Sequence, residues 1–219
     1  MRRFIFTATL LAGVATSASA QWNIARFNAE PNRVYTSFGL DPAFVASAGY
    51  ARAIPVMSHA FQLNAELGVA AAHPDTRDFR TRVGAQTSLL HWRSVNFSGT
   101  ATFISRGTEN SIYRGFNFGA DLTGALGVYR PGWFAAIEVG KDKAIMTHIT
   151  NSSYYRSTFY ADAKDGWYLD SGGTLHHGLA AGLTIRRTEL MAKAGWLTTE
   201  RYNSVMPPLY GTVGIGFGF

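Results

Sequence analysis

From Leu209 to the end of the chain, odd positions carry Leu209, Gly211, Val213, Ile215, Phe217 and Phe219, while even positions carry Tyr210, Thr212, Gly214, Gly216 and Gly218. Alternate residues of a strand point to opposite faces, so this period of two predicts a strand lying between an oily and a polar environment. The pattern recurs upstream. Phe61, Leu63, Ala65, Leu67 and Val69 oppose Gln62, Asn64, Glu66, Gly68 and Ala70; Phe116, Phe118, Ala120 and Leu122 oppose Asn117, Gly119, Asp121 and Thr123. Val95, Phe97, Ala101 and Phe103, and then Leu175, Leu179, Ala181, Leu183 and Ile185, repeat it. Beyond the first twenty residues no stretch holds a 3.6-residue period for three turns. Strands are predicted near 33–40, 43–54, 60–71, 78–91, 94–106, 112–130, 132–149, 174–187, 188–201 and 208–219. The fold class is all-β: a single antiparallel up-and-down barrel of about ten strands, with eight as the alternative count.

Alternation does not say which face is inside, because a soluble lipocalin-like barrel alternates too. The make-up of the polar face decides. It consists mainly of Gly, Ser, Thr, Asn and Ala, and only 16% of the chain is charged, against about 25% in a soluble domain. Small residues suit a crowded narrow lumen, which leaves the apolar face to meet lipid. A transmembrane barrel is therefore expected, and a soluble periplasmic lipocalin-like binding barrel is the alternative.

The N-terminus agrees. Arg2 and Arg3 precede an apolar run from Phe4 to Val14, and Ala18-Ser19-Ala20 supplies small residues before a cleavage point. This is the three-part pattern of a secretory signal peptide, which predicts a leader over 1–20 and a mature barrel domain over 21–219. The run is too short for a spanning helix. There is no Cys, so neither a lipid anchor nor disulfides are expected. The predicted connections alternate between short turns, such as Arg130-Pro131-Gly132, Arg186-Arg187-Thr188 and the turn at Trp92-Arg93, and longer joins, of which 150–173 is the longest. Short turns on the periplasmic side and long loops outside are what such barrels show. Formal net charge falls from +6 to a mild +4 when Arg2 and Arg3 leave with the leader. No run of like charge points to nucleic acid.

Gly214-Ile215-Gly216-Phe217-Gly218-Phe219, behind a signal peptide, resembles the closing strand of small outer-membrane β-barrel proteins of Gram-negative bacteria. The resemblance implies a location in the outer membrane, with membrane lipids and lipopolysaccharide around the barrel. It also implies that Phe219, with Phe217 and Ile215, is read by the barrel-assembly machinery.

Candidate chemistry is sparse. Glu66, Arg80, Arg82, Asp121, Glu138, Asp142 and Lys193 fall on the inward face of several strands, and a narrow lumen should make them pair, as a plug or as the gate of a small pore. His148 precedes Thr150 by two, loosely like the His-x-Ser pair of outer-membrane lipid hydrolases, and His176 opens the strand across the long loop. Both histidines are expected inward at the outer rim, as polar rim residues or, in the alternative, as part of a lipid-modifying hydrolase or metal site. No catalytic, metal-binding or cofactor motif is recognised, so a non-enzymatic structural, surface-interaction or narrow-pore role is expected and no cofactor is assigned. Tyr50 and Trp133 are expected outward in an interfacial girdle, and Trp92 and Tyr129 inward. The 150–173 loop mixes Tyr154, Tyr155, Phe159, Tyr160, Trp167 and Tyr168 with polar residues, which suits either recognition of an extracellular ligand or self-packing over the mouth.

Overall fold

The computed structural model describes residues 22–41, 43–56, 59–71, 77–200 and 208–219. Ten strands follow in order: β1 (Asn32–Leu40), β2 (Phe44–Val56), β3 (His59–Ala70), β4 (Phe79–Trp92), β5 (Val95–Glu109), β6 (Tyr113–Arg130), β7 (Trp133–Asn151), β8 (Gly166–Ile185), β9 (Thr188–Thr199) and β10 (Leu209–Gly218). Each pairs antiparallel with its neighbours, and β1 pairs with β10 to close the barrel. Closure pairs the first strand with the last, so the sheet has no free edge strand.

The start of β1 and the end of β10 meet at one end of the barrel, where Asn32 and Phe219 exchange a reciprocal pair of backbone hydrogen bonds. The tight turns Arg93-Ser94, Pro131-Gly132 and Arg186-Arg187 lie at this turn end. Arg93 and Arg186 adopt φ of 56° and 58°, the left-handed conformation that the favoured primed turns of two-residue hairpins use at their first central position. The opposite, loop end is uneven, because β6, β7 and β8 run 18 to 20 residues whereas β1 and β10 have 9 and 10.

Polarity is inverted relative to a water-soluble domain. Among the described residues 24 polar or charged side chains are buried, against 17 hydrophobic ones. Phe38, Phe44, Leu67, Val83, Leu122, Ile137, Leu179 and Val213 stand exposed on the outer wall. Tyr50 and Trp133 are exposed there too, while Tyr129 is buried inside and stacks on Phe134 at 5.4 Å. No helix among the described residues is long and apolar enough to cross a membrane.

Two expectations fail for one reason. A simple alternation count puts Trp92 inward, yet it is 71% exposed on the outer wall. Pairing slips between Ser88 and Leu90, so Leu89 is an extra residue of β4 and every later side chain changes face. A second slip between Ala144 and Met146 makes Ile145 the extra residue of β7 and turns His148 outward. The β8 partner of that slip, with Asp170 at φ 52° and Gly172 at 140°, kinks without ending. As a result β8 begins at Gly166, not 174, and the predicted 150–173 loop shortens to Ser152–Asp165. Of the other joins expected to be long, Ala72 to Arg77 and Arg201 to Pro207 fall almost wholly outside the described residues, while the one expected over 106–111 is a correction: β5 runs on to Glu109 and pairs with Arg114, which leaves only 110–112 as the turn.

The N-terminal segment forms an element that alternation gives no hint of. Ile24–Arg26 makes a 3-10 turn capped by Asn23, whose side chain accepts from the Ala25 N–H. Trp22 and Phe27 are almost wholly buried, and Trp22 meets Tyr35 edge-on at 4.6 Å and lies beneath the Arg33 guanidinium at 4.8 Å. The Trp22 N–H donates to Gln86 Oε1 at 3.1 Å, the Asn23 N–H to Glu189 Oε1 at 3.1 Å, and Asn23 Nδ2 to the Arg130 carbonyl at 2.7 Å. Arg26 bonds the carbonyls of Pro131 and Arg186 across two different turns. Residues 22–30 therefore cork the turn end.

Candidate functional site

Among the described residues the barrel interior gathers the buried charges, and all seven predicted lumen charges are among them. Buried carboxylates are Glu30, Asp41, Glu66, Asp121, Glu138, Asp142 and Glu189; buried Arg and Lys are Arg33, Arg80, Arg82, Arg106 and Lys193. Near the loop end Asp41 takes Arg80 at 2.9 Å and Arg82 at 2.7 Å, and Arg82 also holds Glu66 at 2.9 Å. In mid-barrel Lys193 pairs with Glu138 at 2.9 Å, and the Tyr210 hydroxyl donates to the same carboxylate at 2.9 Å. At the turn end Arg33 pairs with Glu189 at 3.2 Å under the cork.

Asp121 and Asp142 are directly opposed on β6 and β7, and both are fully buried. Like charges across a ladder repel, so each needs its own counter-group. Asp142 is held by Arg106, which also donates to Asn117 at 3.0 Å. Asp121 takes His176 Nε2 at 2.8 Å and the Thr123 hydroxyl at 2.6 Å. Gly140 is what lets the imidazole in, because a Cβ there would lie 2.5 Å from His176 Nε2 and 2.4 Å from Thr123 Oγ1. A catalytic relay needs an orienting acid on one ring nitrogen and a nucleophile on the other. Here Nε2 faces both Asp121 and, at 3.4 Å, Thr123. The arrangement fixes a charge in place and does not activate a hydroxyl.

His148 is a correction. It faces outward against Trp167, with ring centroids 5.0 Å apart, while His176 is buried in the lumen. The Ile145 bulge separates them onto opposite sides of the wall, so they form no common site. Asp41, Arg106, Tyr210 and the Arg33–Glu189 pair are site residues that the inward-charge pattern missed. Arg106 has the inward parity of the predicted 94–106 strand but stands at its last position, and Asp41 falls in a predicted turn, where alternation assigns no face. Tyr210 was visible as the one large residue on the small-residue face of β10.

Above the charges, a cavity of about 170 Å³ opens near the loop end, lined by Asp41, Arg80, Arg106, Tyr113, Asn117 and Thr147 among others. The 152–165 loop is ordered around α1 (Ser153–Thr158). Ser152 caps the helix and also donates to the Ser111 carbonyl at 2.7 Å, tying the loop to the β5–β6 turn. Tyr155 is buried against Phe159, whereas Tyr154, Phe159 and Tyr160 remain more than half exposed.

Asp165 clamps this loop. Its carboxylate accepts the Asn151 N–H at 2.8 Å and pairs with Arg156 at 2.6 Å, and the backbone bond foremost, then the Arg156 contact, holds its pKa below the usual carboxylate value. A depressed carboxyl stabilises the folded form above the unfolded pKa of about 3.9, and that contribution is lost as pH falls through the folded value. The loop should thus stay shut at pH 5 to 8 and loosen only below about pH 4. At pH 7 trypsin should cut Arg156 and Lys164 slowly in the wild type and quickly in Asp165→Asn. Equal cutting rates would show that the clamp does not hold the loop.

Compared with known proteins, the chain matches no protein-family model and no curated protein sequence. Fold and site together define a closed ten-strand antiparallel β-barrel with an apolar outer wall, a charge-paired lumen and an N-terminal cork.

Proposed function

We propose that this chain is an integral outer-membrane protein, built as a closed barrel of little or no conductance, whose loop end contacts another molecule at the cell surface. The inverted polarity carries the reading: large apolar side chains ring the outside while Arg, Asp and Glu fill the inside. Each large apolar side chain left in water forgoes roughly 1.5–3 kcal/mol of burial, and an apolar belt on this scale needs lipid to cover it. The signal-peptide pattern and the Phe-ended closing strand support the same location. In this setting the turn end faces the periplasm, and Tyr50, Trp92 and Trp133 are available to the inner interface. The exposed Tyr154, Phe159 and Tyr160 offer rigid contact area to a partner. A lipid-modifying hydrolase gains no support, because His148 and His176 do not meet.

Cell fractionation with heat-modifiable migration on detergent gels tests the location; a product confined to the soluble periplasm would favour the lipocalin-like alternative. Conductance tests the closed lumen. Wild-type protein in planar bilayers should pass little or no current, and replacing Glu138 and Lys193 together by Ala should raise it, since their 2.9 Å pair bridges β7 and β9 over the inner face of β8 and fills that part of the bore. High wild-type conductance would make the protein an open porin instead.

A further inference from the structure

The outer wall of β7 is apolar at Trp133, Ile137 and Val139, and then two lysines interrupt it. Lys141 and Lys143 share the outward parity of Val139, because Asp142 between them is fully buried in the lumen. Across its two ladders Lys141 stands between Leu122 and Leu175, both exposed on the outer wall. A charge in such surroundings is costly wherever hydrocarbon covers the wall. Its height removes the conflict. Lys141 and Lys143 lie 8 and 10 residues beyond Trp133, which at about 3.3 Å per residue and a tilt near 40° is roughly 20–25 Å up the barrel, the height of the apolar band of membrane barrels. Beside Val139, His177 stacks on the exposed Trp196 at 5.9 Å, an aromatic placement suited to a membrane–water boundary.

Two carboxylates complete the cluster. Glu200, just past the end of β9, reaches across β8 to Lys141 at 2.7 Å and Lys143 at 3.0 Å. Gly173 lets it pass, since a Cβ there would lie 3.0 Å from the Glu200 carboxylate. Asp170, in the β8 kink, meets Lys143 at 2.5 Å. All four side chains remain between 34% and 62% exposed. An ammonium offers three donors and a carboxylate about four acceptor sites, more than one pair apiece consumes.

We propose that Lys141, Lys143, Asp170 and Glu200 form a seat for a lipid headgroup that carries both a phosphate and a primary amine, a proposal that rests on the outer-membrane reading given above. The lysines take the phosphate and the carboxylates take the ammonium. Two charges of each sign complement a zwitterion and not a plain anion. A primary ammonium also brings N–H donors to the carboxylates, which a quaternary choline lacks. The acyl chains then run down the outer wall over Val139, Leu175 and Leu179.

The test mixes the refolded barrel, in dodecyl maltoside micelles, with equal amounts of phosphatidylethanolamine, phosphatidylglycerol and phosphatidylcholine of the same acyl chains, and counts retained lipid by native mass spectrometry. Wild-type barrel should retain phosphatidylethanolamine at least about fivefold over each of the others. Lys141→Gln with Lys143→Gln should lower it to the level of phosphatidylcholine. Asp170→Asn with Glu200→Gln should erase the preference over phosphatidylglycerol. Equal retention of the three lipids by the wild type, or phosphatidylglycerol ahead, would overturn the proposal, and so would a double variant that ranks them as the wild type does. The wild-type ranking decides by itself if a variant fails to fold. Micelles require no bilayer insertion, so fractionation reads the location separately and a failed membrane reading stays distinguishable from a failed seat.

Discussion

Arg82→Ala will lower the stability of the refolded barrel by about 3–5 kcal/mol, read as a fall in the urea midpoint in detergent. Arg82 is 2% exposed and bridges Asp41 at 2.7 Å and Glu66 at 2.9 Å. Its removal leaves Glu66 buried without the cation that faces it, while Asp41 keeps Arg80. Breaking a buried pair from one side is the costly case, because the remaining charge keeps its desolvation penalty. Removing both sides is different: Arg82→Leu with Glu66→Leu should recover much of the loss. Arg77→Ala provides the contrast, since Arg77 is 63% exposed in its pair with Glu109 and should cost at most about 1 kcal/mol. An Arg82→Ala barrel within 1 kcal/mol of wild type would mean that water screens the lumen.

In the proposed outer-membrane setting, Phe219→Ala should sharply reduce surface levels in cells yet leave the refolded barrel nearly as stable as wild type. Phe219 is 51% exposed, and its ties to Asn32 run through backbone atoms that the substitution keeps. Leu209, Val213, Ile215 and Phe217 still present the apolar stripe of β10. Losing one half-exposed aromatic at the rim should cost roughly 1 kcal/mol. If assembly machinery grips the terminal aromatic of the unfolded chain, the cellular loss will far exceed that figure. Immunoblots of outer-membrane fractions beside in vitro refolding yields separate the two, and unchanged surface abundance would reduce Phe219 to an ordinary rim residue.

The strands and the inward charges were legible because both depend on a period of two, which survives wherever one face is oily. What broke the reading was a single inserted residue. Leu89-Leu90 and Ile145-Met146 place two large apolar residues side by side, and in an alternating strand that doubling is the trace of a bulge. Read that way, Trp92 and His148 come out on the correct face. The cork had no such trace. Trp22 and Phe27 sit in a stretch without period, and the partners of Trp22 and Asn23 lie 64 and 166 residues away in the chain, in the side chains of Gln86 and Glu189. Lumen partners such as His176 for Asp121 were equally hidden, because which inward residues meet across the bore depends on strand stagger and not on spacing along the chain.

The unequal strands give the barrel a heading. β6 to β8 exceed β1 and β10 by about ten residues, which at roughly 3.3 Å per residue and a tilt near 40° raises one flank of the rim by roughly 25 Å over the seam. The collar is cut on a slant, and Trp167, Leu169 and the α1 loop all belong to its high side. Among the described residues, a molecule arriving from above meets that flank first. In the proposed setting the protein would not be a post with one identical profile all round, but a screen whose strands stand tallest at β6 to β8.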